Sequence, residues 1–197
     1  MKAIMISIKP KWVAKILNGE KTIEIRKTCP AIFKHLKSYE GAELDVYIYC
    51  TKDKQDFLVN ADLIRPPFPH PRTYMLGHKD YSLNGKVVAK FTLNKVEEIK
   101  LNLGARLFTK TFTEEELLKN ACLTTNEIED YLFSNVMQGY AWHIDNLEIF
   151  DKPKKLSEFK KNNAIFNCWK CTLFGSGCKT CQLTKAPQSW CYMEVGQ

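Results

Sequence analysis

The chain has 197 residues, 45% hydrophobic and 26% charged, a composition that is ordinary for globular proteins and excludes a mostly disordered chain. Its formal net charge of +7 favours anionic partners such as RNA, DNA or nucleotides, although many other proteins are equally basic. No segment approaches the roughly 18 consecutive apolar residues of a membrane span. Lys9 and Lys11 follow the apolar start of the chain without a cleavage-site pattern, so we expect a cytoplasmic protein with no membrane partner.

The first part of the chain predicts two strands, a helix between them, and a long insertion. Residues 2–8 have strand character, and Pro10 suits the first position of a helix that ends at Gly19. The apolar face of this helix consists of Trp12, Val13, Ile16 and Leu17. Residues 43–50 read as another strand, after the short strand discussed below. Residues 52–84 contain four prolines among charged and aromatic residues, which indicates a long, partly irregular insertion.

The second part predicts strands and two short helices. A turn at Asn84-Gly85 leads into a strand over residues 86–95, and residues 140–150 return to strand. The sequence offers a capping box at the start of each helix, with Thr113 and Glu116 in one and Thr124 and Glu127 in the other. Their expected buried side chains are Leu117, Leu118, Ile128, Tyr131 and Leu132. Because the pattern lacks a regular strand–helix–strand rhythm, it favours a mixed α+β fold with a compact barrel and short flanking helices.

The segment 19–26 (GEKTIEIR) has three ionisable side chains within its last six residues, which include a short strand. Glu24 and Arg26 lie two residues apart and therefore on one face, opposite Ile23 and Ile25, while Lys21 stands at the start of the strand. One interpretation is a surface ion pair on an edge strand, which contributes about 0–1 kcal/mol. The other is a cleft, where the carboxylate accepts from a base amine and the two cations meet phosphate or carbonyl oxygens.

The same segment resembles the Gly-x-Lys-x-x-Glu-x-Arg signature of ASCH domains. Its flanks are similar to members of that family too, especially those of Gram-positive bacteria and their phages. These flanking stretches are residues 7–10 (SIKP), 84–88 (NGKVV), 139–144 (GYAWHI), 151–153 (DKP) and 186–192 (APQSWCY). The resemblance thus touches most of the chain apart from the insertion.

This resemblance implies a PUA-like β-barrel with a cleft above the signature strand, in a group connected with RNA binding. The residues that it places at the cleft are Lys9, Lys21, Glu24 and Arg26. Some relatives hydrolyse 4-acetylcytidine and others are described as ribonucleases, so Lys21 and Glu24 would be the catalytic residues if this chain is an enzyme. The deacetylating relatives carry Thr at the position of Glu24, and a glutamate can act as a general base but does not replace a hydroxyl nucleophile.

Trp142 and His143 are neighbours in the last predicted strand and must point to opposite faces. Trp142 shares its face with Tyr140 and Ile144, which is most simply explained by burial in the core. His143 shares its face with Ala141; it is interpreted either as a contributor to the cleft or as a structural histidine.

Two Cys-x-x-Cys knuckles near the end of the chain predict a structural zinc site. The four candidate ligands are Cys168, Cys171, Cys178 and Cys181. Four thiolates leave no open position for water, so this zinc would staple the segment rather than catalyse a reaction. An iron–sulfur cluster and unmetallated thiols are the alternatives, and Cys191 could replace one ligand. Cys29, Cys50 and Cys122 are interpreted as isolated, buried thiols.

We therefore expect a barrel over residues 1–158, with the insertion at about 52–84, and a C-terminal zinc knuckle and closing segment over residues 159–197. The leading hypothesis is a module that binds a nucleotide or RNA. The alternative is a hydrolase, an amidohydrolase or ribonuclease, that uses the same cleft on a modified nucleoside or an RNA phosphodiester. A third is a phage-type protein that sequesters a nucleotide signal or binds a host protein.

Overall fold

The structure is a computed structural model that describes residues 2–34, 41–60, 74–76, 82–101, 107–132, 138–161 and 181–195. Its strands are β1 (Lys2–Ile8), β2 (Ile23–Arg26), β3 (Leu44–Cys50), β4 (Leu58–Asn60), β5 (Tyr74–Leu76), β6 (Val87–Leu93), β7 (Val96–Leu101), β8 (Leu107–Phe108), β9 (Gln138–His143), β10 (Asp145–Lys154), β11 (Lys160–Lys161) and β12 (Trp190–Glu194). Its helices are α1 (Pro10–Leu17), α2 (Ala31–Lys34), α3 (Glu114–Ala121) and α4 (Thr125–Leu132). The predicted mixed α+β composition is confirmed.

The chain forms two compact units that interleave along the sequence. One contains Met1–Asn18, Leu44–Phe91 and Leu147–Gln197, and the other contains Gly19–Glu43 and Thr92–Asn146. We call them the first and the second unit. The boundary predicted between residues 158 and 159 stays a prediction.

The first unit contains a six-stranded sheet in the order β10-β6-β3-β1-β12-β11. Its apolar strand β1 is central, parallel to β3 and antiparallel to β12, so the end of the chain pairs with its beginning. The core of this unit consists of Ala3, Met5, Tyr47, Tyr49, Val87, Phe150, Phe159, Leu183 and Met193. Helix α1 begins at Pro10 and ends before Gly19, which has a positive φ of 75°. This helix buries Val13, Ile16 and Leu17 as predicted, while Trp12 is half-buried.

The second unit contains a four-stranded sheet in the order β2-β9-β7-β8. Strand β9 is antiparallel to both β2 and β7. One face of the sheet joins α3 and α4 in a core made of Ile23, Ile25, Ile99, Leu107, Leu117, Ala121, Ile128, Leu132 and Ala141. Ile23 and Ile25 therefore lie on the face that packs on the helices, as the period-two pattern predicts.

Both predicted capping boxes are present. The Thr113 hydroxyl accepts from the Glu116 N–H, and the Glu116 carboxylate accepts from the Thr113 N–H. Thr124 and Glu127 make the same reciprocal pair at 2.9 and 3.2 Å. Each box satisfies backbone donors that a helix start leaves without an intrahelical partner.

The structure differs from three sequence-based expectations about the fold. The strand predicted over residues 140–150 is two strands, because the chain breaks at Ile144 and Asn146 takes a φ of 49°, a conformation that asparagine tolerates. The insertion contains a two-stranded sheet of β4 and β5; residues 61–73 lie outside the described part. The described strands pair in open sheets of six, four and two strands, so the closed barrel is not found among the described residues.

The predicted turn at Asn84-Gly85 is confirmed, with Gly85 at a φ of 79°. The Asn84 side chain fixes this turn to the preceding segment, since its oxygen accepts from the Leu58 N–H at 3.0 Å and its amide donates to the Asp56 carbonyl at 2.7 Å. No helix within the described ranges is long and apolar enough to cross a bilayer.

Candidate functional site

Lys21, Glu24 and Arg26 of the signature segment meet in one cluster. The Glu24 carboxylate lies between the two cations, with Oε2 at 3.3 Å from Lys21 Nζ and Oε1 at 2.9 Å from Arg26 Nη2. Glu24 and Arg26 lie on the same face of β2, as predicted. We call Lys21, Glu24 and Arg26 the signature triad.

The signature triad is buried, which distinguishes it from an ordinary surface ion pair. The exposed fractions are 3% for Lys21, 8% for Glu24 and 6% for Arg26. Lys21 Nζ also donates to the carbonyl of Ala121 at 2.7 Å, at the C-terminal end of α3, where the helix dipole favours a cation. Removing one partner of a buried pair of this kind typically costs about 3–5 kcal/mol, because it leaves a buried charge uncompensated. Because all three side chains are buried, the sequence-based interpretation as an exposed ion pair is wrong.

Strand β2 lies at one edge of its sheet, and its neighbour β9 places aromatic residues beside the triad. Glu24 is directly opposite Trp142 in the ladder, and Arg26 is opposite Tyr140. Trp142 is completely buried, which confirms its predicted place in the core. Residues directly opposite in a ladder share a face, so Glu24 and Arg26 share theirs with Trp142 and Tyr140.

Tyr131 is an additional member of this site. The sequence places it on the buried face of α4 because it follows Ile128 by three residues, but 39% of it is exposed, so that expectation is wrong. Arg26 donates a hydrogen bond to its phenol oxygen. Burial raises the pKa of the Tyr131 phenol, and the nearby Arg26 guanidinium opposes this shift. Lys27 Nζ lies 5.3 Å from the centre of the Tyr131 ring.

A second buried charge cluster surrounds Glu97 on β7, and sequence reasoning missed it. Glu97 is 5% exposed, and its Oε1 is 2.8 Å from Lys95 Nζ and 2.9 Å from His143 Nε2. The Thr111 hydroxyl donates to Glu97 Oε1 at 2.5 Å, and the Thr111 N–H donates to Oε2 at 3.0 Å. Burial pushes the pKa of Glu97 upward, but the hydrogen bonds from Lys95, Thr111 and His143 outweigh it and lower the pKa to about 2.

His143 belongs to this second cluster. It lies opposite Ile23 in the ladder, on the face away from Glu24 and Arg26, and its ring stacks on Phe112 with 5.3 Å between centres. Burial lowers the pKa of the imidazole, although the bond to Glu97 opposes the shift. Of the two sequence-based interpretations, the structural histidine fits and the cleft residue does not.

The chain resembles solved structures, whereas its sequence matches no family model. No protein-family model matches the sequence, and no match is found among curated proteins. A crystal structure of ASCH from Zymomonas mobilis matches with a TM-score of 0.50 and 14% identity, covering 98% of this chain and 87% of that chain. The chain has an ASCH fold. Two mutant structures of the Zymomonas protein have TM-scores of 0.49 at 13% and 15% identity, covering 98% of this chain and 88% and 91% of theirs.

This match confirms the ASCH resemblance at the level of the fold. At 14% identity it shows the fold alone, so the roles of individual residues rest on the local geometry of this chain. Glu24 and Arg26 lie in the strand that the ASCH resemblance singles out, and Lys21 precedes it. Tyr131 and the Glu97 cluster are additions from the structure.

Lys9, the fourth residue expected at the cleft, belongs to the first unit of this ASCH fold. It is exposed and serves as the N-cap of α1, without a side-chain capping bond. Its charge makes a small contribution to lowering the pKa of the Asp53 carboxyl, behind the Gln55 N–H that donates to the same group. Its membership of the cleft stays a prediction.

Most of the predicted zinc site lies outside the described residues, since Cys168, Cys171 and Cys178 fall within residues 162–180. Cys181 is described and is buried, at 6% exposure. Among the described residues, no group of three or more histidine, cysteine or acidic side chains has the arrangement of a metal site. The zinc site therefore stays a prediction.

The remaining cysteines of the described part have separate surroundings. Cys29 and Cys50 are buried as predicted, and burial raises the pKa of Cys50 to about 12. Cys122 is only half-buried, and its thiol donates to the Glu20 carbonyl at 3.3 Å. Cys191 lies in β12 opposite Met5, and burial raises its pKa as well. Its role as a substitute zinc ligand stays a prediction.

An open groove of about 920 Å³ lies between α3 and α4. It is lined by Thr113, Glu114, Glu115, Leu118, Lys119, Cys122, Leu123, Thr124, Thr125 and Glu127. Its carboxylates outnumber its single lysine, so this groove does not suit an anionic ligand. The signature triad is not part of its lining.

Proposed function

We propose that this chain is a binding module for a nucleotide or single-stranded RNA and that the signature triad recognises the ligand. The observation that carries this proposal is the position of Glu24, bridged by Lys21 and Arg26 at 3.3 and 2.9 Å in surroundings where all three are less than 10% exposed. Two cations and one carboxylate leave a net charge of +2 − 1 = +1 in a poorly solvated place. Such an excess attracts an anion more strongly than an exposed lysine would.

The triad combines two kinds of group that suit a nucleotide. A guanidinium and an ammonium are donors, whereas a carboxylate is an acceptor. Arg26 and Lys21 would hold a phosphate or a carbonyl oxygen, while Glu24 would accept from the exocyclic amine of a base. This combination suits unstacked bases, whose edges are accessible in single-stranded RNA. Lys9, which the ASCH resemblance also assigns to the ligand, stays a prediction from the sequence.

The ASCH fold supports the proposal at a coarser level. We propose that the fold is of the PUA-like type, as the ASCH resemblance implies. In such a scaffold the signature strand would face the ligand cleft. The hydrolase alternative uses the same residues, so it enters as an outcome of the test below.

The binding test is a titration of a short fluorescein-labelled oligo(A) RNA, followed by anisotropy at several salt concentrations. We expect measurable binding that weakens with salt, and a loss of roughly tenfold or more in Glu24→Gln and Arg26→Lys. Arg26→Lys keeps the charge and removes the guanidinium fork, so it separates geometry from electrostatics. Thermal unfolding of each variant checks that the fold persists.

A matched control comes from the exposed pair of Glu98 and Lys100 on β7, whose atoms are 2.8 Å apart. Glu98→Gln removes the same charge as Glu24→Gln from an exposed site, and it should leave binding unchanged. Equal losses in both variants would contradict the proposal. Recovery of a cleaved RNA, or release of acetate from 4-acetylcytidine by the unmodified protein, would establish the hydrolase instead.

We also propose that Cys168, Cys171, Cys178 and Cys181 bind one structural zinc ion. The spacing of the two knuckles supports this, and the burial of Cys181 fits a ligand enclosed by the protein. The metal content of protein purified without chelator should be one zinc per chain, and Cys181→Ser should lower it. Cys29→Ser, at a buried cysteine remote in sequence, should not. A zinc content that is unchanged in Cys181→Ser would contradict the assignment.

A further inference from the structure

The surface beside the signature triad has an aromatic residue that the proposed function has not yet used. Among the side chains that the structure describes, Tyr131 stands out as a large hydrophobic residue that remains exposed, at 39%. It lies in the last turn of α4, whose other apolar residues Ile128 and Leu132 are completely buried. An exposed tyrosine on its own is ordinary on protein surfaces. The contacts of its two ends make this one informative.

The phenol end of Tyr131 is tied to the triad. Its oxygen accepts a hydrogen bond from Arg26, the residue that also contacts Glu24 at 2.9 Å. The ring therefore stands next to the buried charges and is held there by one of them. A flat ligand group lying on this ring would be adjacent to the donors of Arg26.

The ring end of Tyr131 is next to a cation. Lys27 Nζ lies 5.3 Å from the ring centre, within the range of a cation–π contact, and Lys27 is only half-buried. Lys27 directly follows Arg26, so the end of β2 brings a buried guanidinium and a more accessible ammonium to the same tyrosine. Proteins that bind single-stranded nucleic acids stack a base on an aromatic side chain and contact its phosphate with a nearby cation.

We propose that Tyr131 and Lys27 form the solvent-facing half of the ligand site, where Tyr131 stacks on a nucleobase and Lys27 contacts the attached phosphate. This inference rests on the proposed function and deepens it, because it assigns the ligand an unpaired base as well as a phosphate. Tyr131 has a second role as the positioning residue for Arg26. The buried triad then reads the edge of the base that Tyr131 holds.

The two roles of Tyr131 can be separated by substitution. Tyr131→Leu keeps an apolar side chain on α4 but cannot stack, whereas Tyr131→Phe keeps the ring and loses only the hydrogen bond from Arg26. Stacking of one base contributes enough that its loss weakens binding by roughly fivefold or more. We therefore expect that loss in Tyr131→Leu, at an unchanged salt dependence, and a clearly smaller loss in Tyr131→Phe.

Lys27 is tested by the salt dependence of binding. Removal of one phosphate contact from a single strand lowers the slope of log K against log salt by about 0.7. Lys27→Ala should show this change. Lys110→Ala removes the same charge from an exposed lysine that follows β8, the strand at the opposite edge of the sheet from β2, and should leave the slope unchanged.

The experiment is the anisotropy titration of oligo(A) RNA with these four variants and the unmodified chain. Binding by the unmodified chain with unchanged affinity in Tyr131→Leu would overturn the stacking role and leave the proposed function intact. Equal slopes for Lys27→Ala and Lys110→Ala would overturn the phosphate contact. A lack of binding by the unmodified chain to oligo(A), oligo(U) and free nucleotides would overturn the proposed function, and this inference with it.

Discussion

Glu24 on β2 and Glu97 on β7 are both buried glutamates of the second unit, in strands that β9 separates, but their surroundings differ. The Glu24 carboxylate forms ion pairs with Lys21 and Arg26. The Glu97 carboxylate accepts two hydrogen bonds from Thr111 and one from His143 in addition to its ion pair. The partners of Glu97 come from several chain segments and surround its carboxylate, as is typical of a structural anchor. The partners of Glu24 leave the signature triad next to the exposed ring of Tyr131. This difference is why we assign the ligand to Glu24.

At the residue scale, the Glu97 cluster predicts how stability depends on pH. The pKa of Glu97 is lowered from 4.5 to about 2 in the folded chain, so the group stabilises the fold above pH 4.5 and loses this contribution as the pH falls towards 2. His143 also stabilises the fold less as the pH falls, beginning near pH 6.5, because its pKa is also lowered on folding. At 1.36 kcal/mol per pKa unit, Glu97 contributes on the order of 3 kcal/mol, as an upper bound because Lys95 is half exposed.

Urea unfolding between pH 7 and 3 measures this effect. We expect the free energy of unfolding to fall in the acid range for the unmodified chain, and to be lower at pH 7 and flatter with pH in Glu97→Gln. Glu98→Gln, next in the chain and exposed, serves as the control and should keep the original profile. If Glu97→Gln showed the full acid loss of the unmodified chain, other carboxylates would be responsible.

The sequence could predict part of each cluster. The two-residue spacing of Glu24 and Arg26 is local, so their common face follows from strand geometry alone. The contact of Glu97 with Thr111 and His143 depends on the register of β7 against β9 and on the path of the chain after β8, which no local pattern encodes. Tyr131 was assigned to the core because it has helical spacing from Ile128; that spacing does not reveal that the buried face of α4 includes Leu132 and leaves Tyr131 exposed.

At the scale of elements, the helices of the second unit begin where their capping signals predict. The Thr113–Glu116 box is fully formed, and replacing an N-cap threonine by alanine typically costs about 1 kcal/mol. We expect Thr113→Ala to lower the free energy of unfolding by about that amount in urea titrations. Asn126→Ala, at an exposed position within α4, should change it by less than about 0.5 kcal/mol. Equal effects would mean that the box contributes nothing beyond helix propensity.

Strands were predicted less completely than helices. The strand β7 was missed because Val96-Glu97-Glu98-Ile99 does not alternate apolar and polar residues, and the buried Glu97 occupies a place where an apolar residue is expected. The break between β9 and β10 was missed because Ile144 continues the apolar pattern, while the left-handed conformation at Asn146 has no sequence signal stronger than asparagine itself.

At the scale of the whole molecule, the mixed α+β class followed from the sequence. The sequence also predicts a barrel over residues 1–158 with the segment 159–197 packing on it, and this division stays a prediction. In the structure, β12 near the end of the chain pairs with β1 at its beginning, and each unit collects segments from distant parts of the sequence. Such pairings are set by long-range packing, which composition and periodicity do not record. The ASCH resemblance, rather than these local patterns, predicted the fold that the structural match confirms.

The central claim is that the signature triad holds a nucleotide or single-stranded RNA. Native mass spectrometry of the full chain, purified without chelator and titrated with oligo(A) RNA and with nucleotides, tests it most directly because it counts bound ligands per chain. We predict one ligand bound to the unmodified protein and to Glu98→Gln, and its loss in Arg26→Ala. A chain that binds none of these ligands, or an Arg26→Ala variant that binds them as well as the unmodified protein, would contradict the claim.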